Sequence, residues 1–218
     1  MSKALEQSNE EETCLVSEAN PAMDLAQQEE EQALRIQLYM LLAQMLRAEP
    51  NEQLLGLLQQ IEAQADDASP MVKAWAEIRL ASEMTDRESL EDEYYQLFIG
   101  LGRGELVPFA SWYLTGFLME KPLAKLRQDL QAMGYEREAS VHEPEDHAAA
   151  LFEVMAMMLQ DGIAYEQQKE FFQQHIASWM GRFMDELMVA KAARFYRSVG
   201  QLGKQFMDVE ESYFSMMT

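Results

Sequence analysis

The chain has 218 residues, in which 17 lysine and arginine residues face 38 aspartate and glutamate residues, giving a formal net charge of −21. Such a charge repels nucleic acid and anionic lipid and attracts basic partners, although a high charge also serves solubility alone. The single cysteine, Cys14, excludes an internal disulfide and a multi-cysteine metal site.

The N-terminal segment, residues 1–24, is acidic, lacks aromatic residues and shows no periodicity, so it predicts a disordered tail. It also lacks the basic start and apolar run of a signal peptide, and no run of 18 apolar residues follows. We therefore expect a cytoplasmic protein without a membrane-spanning helix.

Apolar residues at helical spacing begin at Leu25 and mark one helix after another. The first stripe ends before Pro50, and a second helix follows to about Ile61. Ser69-Pro70 predicts an N-cap and a first helical residue. The run from Thr85 to Glu88 fits a capping box that opens the helix through Phe98. Glycines at 100, 102 and 104 predict a turn after it.

Prolines and glycines divide the second half in the same way. Pro108 precedes a short aromatic helix over 111–120, and a helix over 123–133 ends at a C-cap, Gly134. Pro144 predicts the first turn of an apolar helix that runs to about Leu159. Phe171 to Met188 predicts one long helix, and a last helix starts near Phe195.

Strand signals are nearly absent, because Leu, Met, Ala, Gln and Glu dominate and no period-two alternation is sustained. The fold class predicted is all-α, with about nine to ten helices. We expect the loop over 135–143 to be a hinge between two helical halves, 25–134 and 144–218.

The acidic and histidine-rich segment 142–147 suggests two kinds of enzyme site. His142, Glu143, Glu145, Asp146 and His147 are possible metal ligands, but no Glu-x-x-His pair places two ligands on one helix face. The glycine-rich turn after Phe98 lacks the Gly-Lys-Ser/Thr ending of a phosphate-binding loop. A metal- or nucleotide-dependent enzyme centred on 142–147 therefore remains the alternative hypothesis, and we expect no catalytic residue and no bound metal.

A binding protein is the hypothesis that the composition favours. The 17 methionines suit a surface that repacks around apolar ligands, although methionine also fills gaps between helices. An acidic protein with an apolar groove fits a peptide that has a basic end followed by an apolar stretch.

Three segments resemble the TorD/DmsD family, the cytoplasmic chaperones of molybdoenzyme maturation. Residues 93–100 (EYYQLFIG) are similar to the family's aromatic-x-x-Leu-Phe-x-Gly segment. Residues 108–113 (PFASWY) are like its proline, serine and tyrosine run, and residues 143–148 (EPEDHA) match its Glu-Pro-x-Asp-His signature. The three segments occur in the family's order. The chain departs from the family in residues 101–107 (LGRGELV), where the family commonly has a short link that contains proline. This link is expected to lie at the rim of a peptide-binding groove.

The resemblance implies a chaperone that binds the twin-arginine signal peptide of a molybdenum-containing oxidoreductase of the dimethyl sulfoxide reductase, trimethylamine oxide reductase or formate dehydrogenase class. Such a chaperone holds the apoenzyme back from export until its cofactor is inserted. The resemblance also implies a monomer or a domain-swapped dimer, and weak GTP binding. The family's peptide-binding positions correspond to Leu97, Phe98, Pro108, Ser111, Tyr113, Asp146 and His147. Glu143 joins them here as a second carboxylate for the arginines.

Overall fold

The computed structural model describes residues 21–63, 69–138 and 140–216, with the side chains of α1 described from residue 26 onward. These residues form ten α-helices and two short π-helical segments and contain no strand, which confirms the predicted all-α class. In chain order they are α1 (Pro21–Arg47), α2 (Glu52–Gln59), α3 (Pro70–Met84), α4 (Arg87–Tyr94), π1 (Tyr95–Ile99), α5 (Ala110–Thr115), α6 (Lys121–Met133), α7 (Ala148–Gln160), α8 (Tyr165–Phe171), π2 (Phe172–Ala177), α9 (Met180–Val189) and α10 (Phe195–Met216).

Helix α1 is the central element of the fold, because it packs along α7 and also contacts α10. Its buried face holds Tyr39, Leu42 and Met45, which join the apolar face of α7 in one hydrophobic core. That core includes residues from both sides of the 135–143 loop. The division into two halves with a hinge stays a prediction.

A buried ion pair ties α1 to α10. Arg35 donates from Nε and Nη2 to the two carboxylate oxygens of Glu210 at 2.7 and 2.8 Å, and the Tyr39 hydroxyl donates to Glu210 Oε2 at 2.6 Å. The guanidinium also lies 4.0 Å from the centroid of the Tyr213 ring. A bidentate pair with a third donor satisfies charges that would otherwise be costly to bury.

Helix boundaries differ from the sequence predictions in several places. Helix α1 begins four residues before the predicted start at Leu25, while residues 1–20 of the predicted tail lie outside the described part of the chain. The cap of α4 is Asp86 rather than Thr85, because the Asp86 carboxylate accepts the Ser89 N–H at 2.8 Å. The predicted N-cap Ser69 and the predicted C-cap Gly134, with a φ of 81°, are confirmed.

Two predicted helices are shorter than their apolar stripes. Helix α5 ends at Thr115 instead of 120, because Gly116 adopts a left-handed conformation with a φ of 82°. The predicted long helix from Phe171 to Met188 is divided into a π-helical segment and α9, with a break at Trp179, where φ is −149°. In the described part of the chain, no helix is both long and apolar enough to cross a bilayer.

The first prediction concerns the α1–α10 ion pair. Glu210→Gln leaves the buried Arg35 without its anion and should lower the free energy of unfolding by about 3–5 kcal/mol. Lys204→Gln removes an exposed ion pair to Asp208 on α10 and should cost at most about 1 kcal/mol. Urea denaturation measures both. Equal losses in the two variants would show that the buried pair does not join α1 to α10 energetically.

Candidate functional site

Two of the sequence motifs meet in space, although 35 residues separate Ser111 from Asp146. The Ala110 N–H donates to the Asp146 carbonyl and the Ala148 N–H donates to the Pro108 carbonyl, both at 2.9 Å. These bonds form an isolated antiparallel bridge between Phe109 and His147. The bridge holds the start of α5 against the start of α7.

The bridge also explains a correction to the predicted start of α7. The sequence placed Pro144, Glu145 and Asp146 in the first helical turn, but α7 begins at Ala148 with His147 as its N-cap. The Ala149 N–H donates to His147 Nδ1 at 3.1 Å, and the preceding N–H is already bonded to Pro108 outside the helix. A contact distant in sequence therefore sets this boundary.

Asp146 is the centre of the arrangement. Its side chain is buried, with 1% of the residue exposed, and its Oδ2 accepts the Ser111 N–H at 2.8 Å. Its other oxygen, Oδ1, has no hydrogen-bond partner among the described residues, and neither has the buried Ser111 hydroxyl. A buried polar atom without a partner costs about 1–3 kcal/mol, and more if charged. An unsatisfied buried carboxylate oxygen is a candidate acceptor for an ordered water or a ligand.

His147 is buried beside Asp146 and has a structural position. Its ring packs edge-on against Phe109, with 4.9 Å between centroids, while Nδ1 caps α7. Burial, and to a lesser degree the charge of Arg47, lowers the pKa of His147 to about 3. The imidazole is therefore neutral at pH 7 and adds no positive charge beside Asp146.

A pocket of about 270 Å³ opens at Asp146. Its apolar wall consists of Ala110, Leu114, Pro122, Leu126 and Leu151. Its polar wall consists of Lys125, Gln174 and His175. We call this space the Asp146 pocket.

Charges around the Asp146 pocket are partly paired. Asp129 forms an ion pair with Lys125, and its Oδ2 lies 2.8 Å from His175 Nε2. Burial lowers the pKa of His175 despite this carboxylate. His175 is thus a buried histidine with a carboxylate partner.

An exposed apolar strip adjoins the Asp146 pocket between α5 and α6. It consists of Leu114, Phe117, Leu118 and Met119, of which Phe117 is 68% exposed. Leu114 belongs to both the strip and the pocket wall. Met119 has a positive φ of 59°, which is strained for a residue other than glycine. An apolar strip next to a buried carboxylate offers two chemically different surfaces to one ligand.

The remaining predicted site residues lie at several places around this centre. Pro108 is buried in the bridge, whereas Leu97 is fully buried in the core on π1. Phe98 is half-buried and packs on Tyr94 and Tyr196. Of these three residues only Pro108 contacts the site, through the bridge, and direct contact of any of them with a peptide stays a prediction.

Tyr113 and Glu143 have partners of their own within the protein. The Tyr113 hydroxyl donates to Glu186 at 2.7 Å, and its ring packs on Trp179. Glu143 lies 3.5 Å from Arg47 and lines a different cavity, beside the 135–143 loop. The structure therefore does not bring Glu143 to the Asp146 pocket.

The 101–107 link folds into a tight connection. Gly104 approaches the backbone of Leu97 and Phe98 so closely that a Cβ would lie 2.4 Å from the Leu97 carbonyl oxygen. The Glu105 carboxylate then accepts the N–H groups of Lys191 and Ala192 at 2.7 and 3.0 Å. The link thus joins π1 to the turn before α10.

Two groups important to this region were not found from the sequence. Glu93 accepts backbone N–H groups of residues 194, 195 and 196 at 2.7–3.1 Å, and so holds the start of α10 from about 100 residues away. Lys125 and Gln174 line the Asp146 pocket without belonging to any motif. The only sequence signal for Glu93 was its position as the acidic residue of the aromatic EYYQLF motif.

The metal hypothesis gains no support from this geometry. Within the described ranges, no group of three or more His, Cys, Asp or Glu side chains is arranged to hold a metal ion. His142 is exposed, whereas His147 is buried and occupied as a cap.

The second prediction follows from the buried, neutral His147. Its pKa lies below that of the unfolded chain, so its contribution to stability is present above about pH 6.5 and is lost as the pH falls. Between pH 7 and 5 this group alone should cost about 2 kcal/mol. His147→Asn keeps a capping side chain but cannot titrate, so its unfolding free energy should depend less steeply on pH. Parallel curves for the two proteins would contradict this explanation.

Comparison with known proteins supports the relationship that the motifs indicate. The profile of the family described as nitrate reductase delta subunit matches residues 64–185. The chaperone protein TorD of Vibrio cholerae is 26% identical over 144 residues, covering 61% of this chain and 66% of that protein. The Tat proofreading chaperone DmsD of Salmonella typhi is 30% identical over 119 residues, covering 54% and 58%.

Coverage is broader for two further proteins. TorD of Vibrio vulnificus is 24% identical over 201 residues, covering 82% of this chain and 94% of that protein. A solved structure, a putative redox enzyme maturation protein from Archaeoglobus fulgidus, has a TM-score of 0.51 at 18% identity and covers 80% and 93% of the two chains. The structure shows a shared fold alone. The first relatives are matched over just under two thirds of their length or less. The family profile, which spans more than half of the chain, and the relatives' names together place the chain in the TorD/DmsD family of chaperones.

Proposed function

We propose that the protein is a chaperone of molybdoenzyme maturation that binds the twin-arginine leader of a precursor, associates with the apoenzyme, assists cofactor insertion and delays export. The observation that carries this proposal is the unsatisfied Oδ1 of Asp146, a residue that lines a pocket next to an exposed apolar strip, with Leu114 belonging to both. Relatives named as TorD and as Tat proofreading chaperones support it.

The two surfaces match the two parts of a leader. A twin-arginine leader has a basic region followed by an apolar region. A carboxylate recognises arginine well, and the strip from Leu114 to Met119 offers apolar side chains to the second part. The net charge of −21 attracts the basic region from a distance.

The expected affinity is moderate. If the leader buries about 300–400 Å² of apolar surface, the gross gain is about 7–10 kcal/mol. Ordering a flexible peptide offsets much of this, so we expect a dissociation constant on the order of micromolar.

The other predicted residues take supporting roles in this proposal. Pro108, Ser111 and His147 hold Asp146 in place through the bridge and the cap. The packing of Tyr113 on Trp179 holds α5, which lines the pocket, whereas Phe98 packs on α4 and α10 away from it. Direct contact of the fully buried Leu97 with the leader requires a rearrangement, whereas Glu143 is exposed but lies outside the Asp146 pocket.

The proposal places the protein in the cytoplasm, where a precursor carries its leader before export. A reductase or dehydrogenase of the dimethyl sulfoxide, trimethylamine oxide or formate class is the proposed client. Among the described residues no cluster of metal ligands supports the alternative, a metal-dependent reaction at 142–147, and a nucleotide-dependent reaction and weak GTP binding stay predictions.

The third prediction tests this function by calorimetric titration with twin-arginine leader peptides at moderate salt. The wild-type protein should bind a client's leader, and Asp146→Asn should weaken binding by about 1–3 kcal/mol because a charge-assisted hydrogen bond is lost. Asparagine retains an oxygen for the Ser111 N–H, so the site keeps its shape.

Asp86→Asn is the matched control. It also neutralises a carboxylate that accepts a backbone N–H, but Asp86 caps α4 and does not line the Asp146 pocket. Its affinity should equal that of the wild type. Absence of heat with every molybdoenzyme leader would refute the proposed function.

A further inference from the structure

The Asp146 pocket has room for one cationic side chain. Its volume of about 270 Å³ lies below the roughly 300–1,000 Å³ of pockets that enclose drug-sized ligands. Its apolar wall, with Leu114 and Leu126, suits the methylene stem of an arginine or lysine. Asp146 lines the same pocket and offers its carboxylate to the charged head.

Hydrogen-bond capacity in the pocket also fits one head group. Asp146 Oδ2 is occupied by the Ser111 N–H, which leaves Oδ1 as the buried acceptor. The Gln174 side chain lines the same pocket, and its Nε2 donates to Glu170 at 2.8 Å, so its amide oxygen is a second acceptor. A guanidinium has several donors in one plane and can reach two acceptors, whereas an ammonium is a strongly hydrated point charge.

Positive charge near the pocket opposes a second cation. Lys125 lines it, and although Asp129 pairs with Lys125, the same carboxylate also contacts His175. Arg127 is close enough to Asp146 for the two charges to interact. One additional positive charge balances Asp146, whereas a second would face Lys125.

Peptide geometry leads to the same limit. In an extended peptide, successive side chains point to opposite sides. When one arginine of an adjacent pair enters the pocket, its neighbour points away from it.

We propose that the Asp146 pocket is a single-guanidinium site, so that the protein reads one arginine of the pair and tolerates lysine at the other. The part of the inference that takes this arginine from a leader peptide rests on the proposed function. The site itself requires only arginine.

The fourth prediction uses N-acetyl-arginine amide as the probe, so that it does not depend on a leader. Titration followed by amide NMR should shift the Ser111 N–H signal, because that group donates to the same carboxylate. Lysine amide should shift it less, and Asp146→Asn should abolish the shift while Asp86→Asn retains it. An unaffected Ser111 signal in the wild type overturns the site.

The number of arginines read is tested with N-acetyl-Arg-Arg amide. With one site, the dipeptide's affinity should exceed that of the single arginine by no more than about two-fold, the statistical factor. With two linked sites, the dipeptide's affinity would be much higher. Lys125→Gln should raise the affinity for the dipeptide more than for the single arginine. Lys204→Gln removes a similar lysine–aspartate pair on α10 and should change neither. A gain well above two-fold in the wild type overturns the single-site inference.

Leaders with Arg-Lys and Lys-Arg in place of Arg-Arg complete the test. One replacement should weaken binding by about ten-fold or more and the other by less than about two-fold, and Asp146→Asn should remove the difference. Equal weakening by both replacements contradicts the inference but leaves the proposed function standing. If arginine amide binds and no leader does, the guanidinium site stands and the proposed function fails.

Discussion

The pairing of residues 108–111 with residues 146–148 is the constraint on which the candidate site depends. Two backbone hydrogen bonds and the bond from Ser111 to Asp146 hold two helix starts side by side. This arrangement buries a carboxylate and leaves one of its oxygens without a partner among the described residues. Burying a carboxylate without a full set of hydrogen bonds costs free energy. Favourable interactions elsewhere in the fold must offset this cost.

The supporting stability comes from apolar packing and from carboxylates that are fully satisfied. Helix α1 lies along α7 and is joined to α10 by the buried Arg35–Glu210 pair. Glu93 and Glu105 hold the backbone before and at the start of α10. Asp146 differs from these acids, because Arg35 or backbone N–H groups occupy both oxygens of each of them. The contrast between satisfied and unsatisfied acids distinguishes structural carboxylates from the candidate binding group.

The geometry of the site suits the proposed role of binding a peptide. His147, which lies beside Asp146 in the sequence, is neutral and serves as a helix cap, so the pair does not have the geometry of an acid–base couple. The strip from Leu114 to Met119 exposes apolar side chains next to the pocket. A buried carboxylate beside an apolar surface fits the proposed ligand, a peptide with a basic part followed by an apolar part.

The sequence by itself determined the helical class, most helix positions and the family, because these depend on local periodicity, on Pro and Gly, and on three short motifs. It also singled out Asp146. The start of α7 and the end of α5 were predicted wrongly from the sequence. The Pro108 carbonyl accepts the Ala148 N–H where α7 begins, and Gly116 ends α5 in a left-handed conformation. Only the tertiary structure decided that one buried oxygen of Asp146 has no hydrogen-bond partner among the described residues, that Lys125 and Gln174 share its pocket and that Glu143 lies elsewhere. Burial and hydrogen-bond partners come from residues distant in the chain, and no local pattern encodes them.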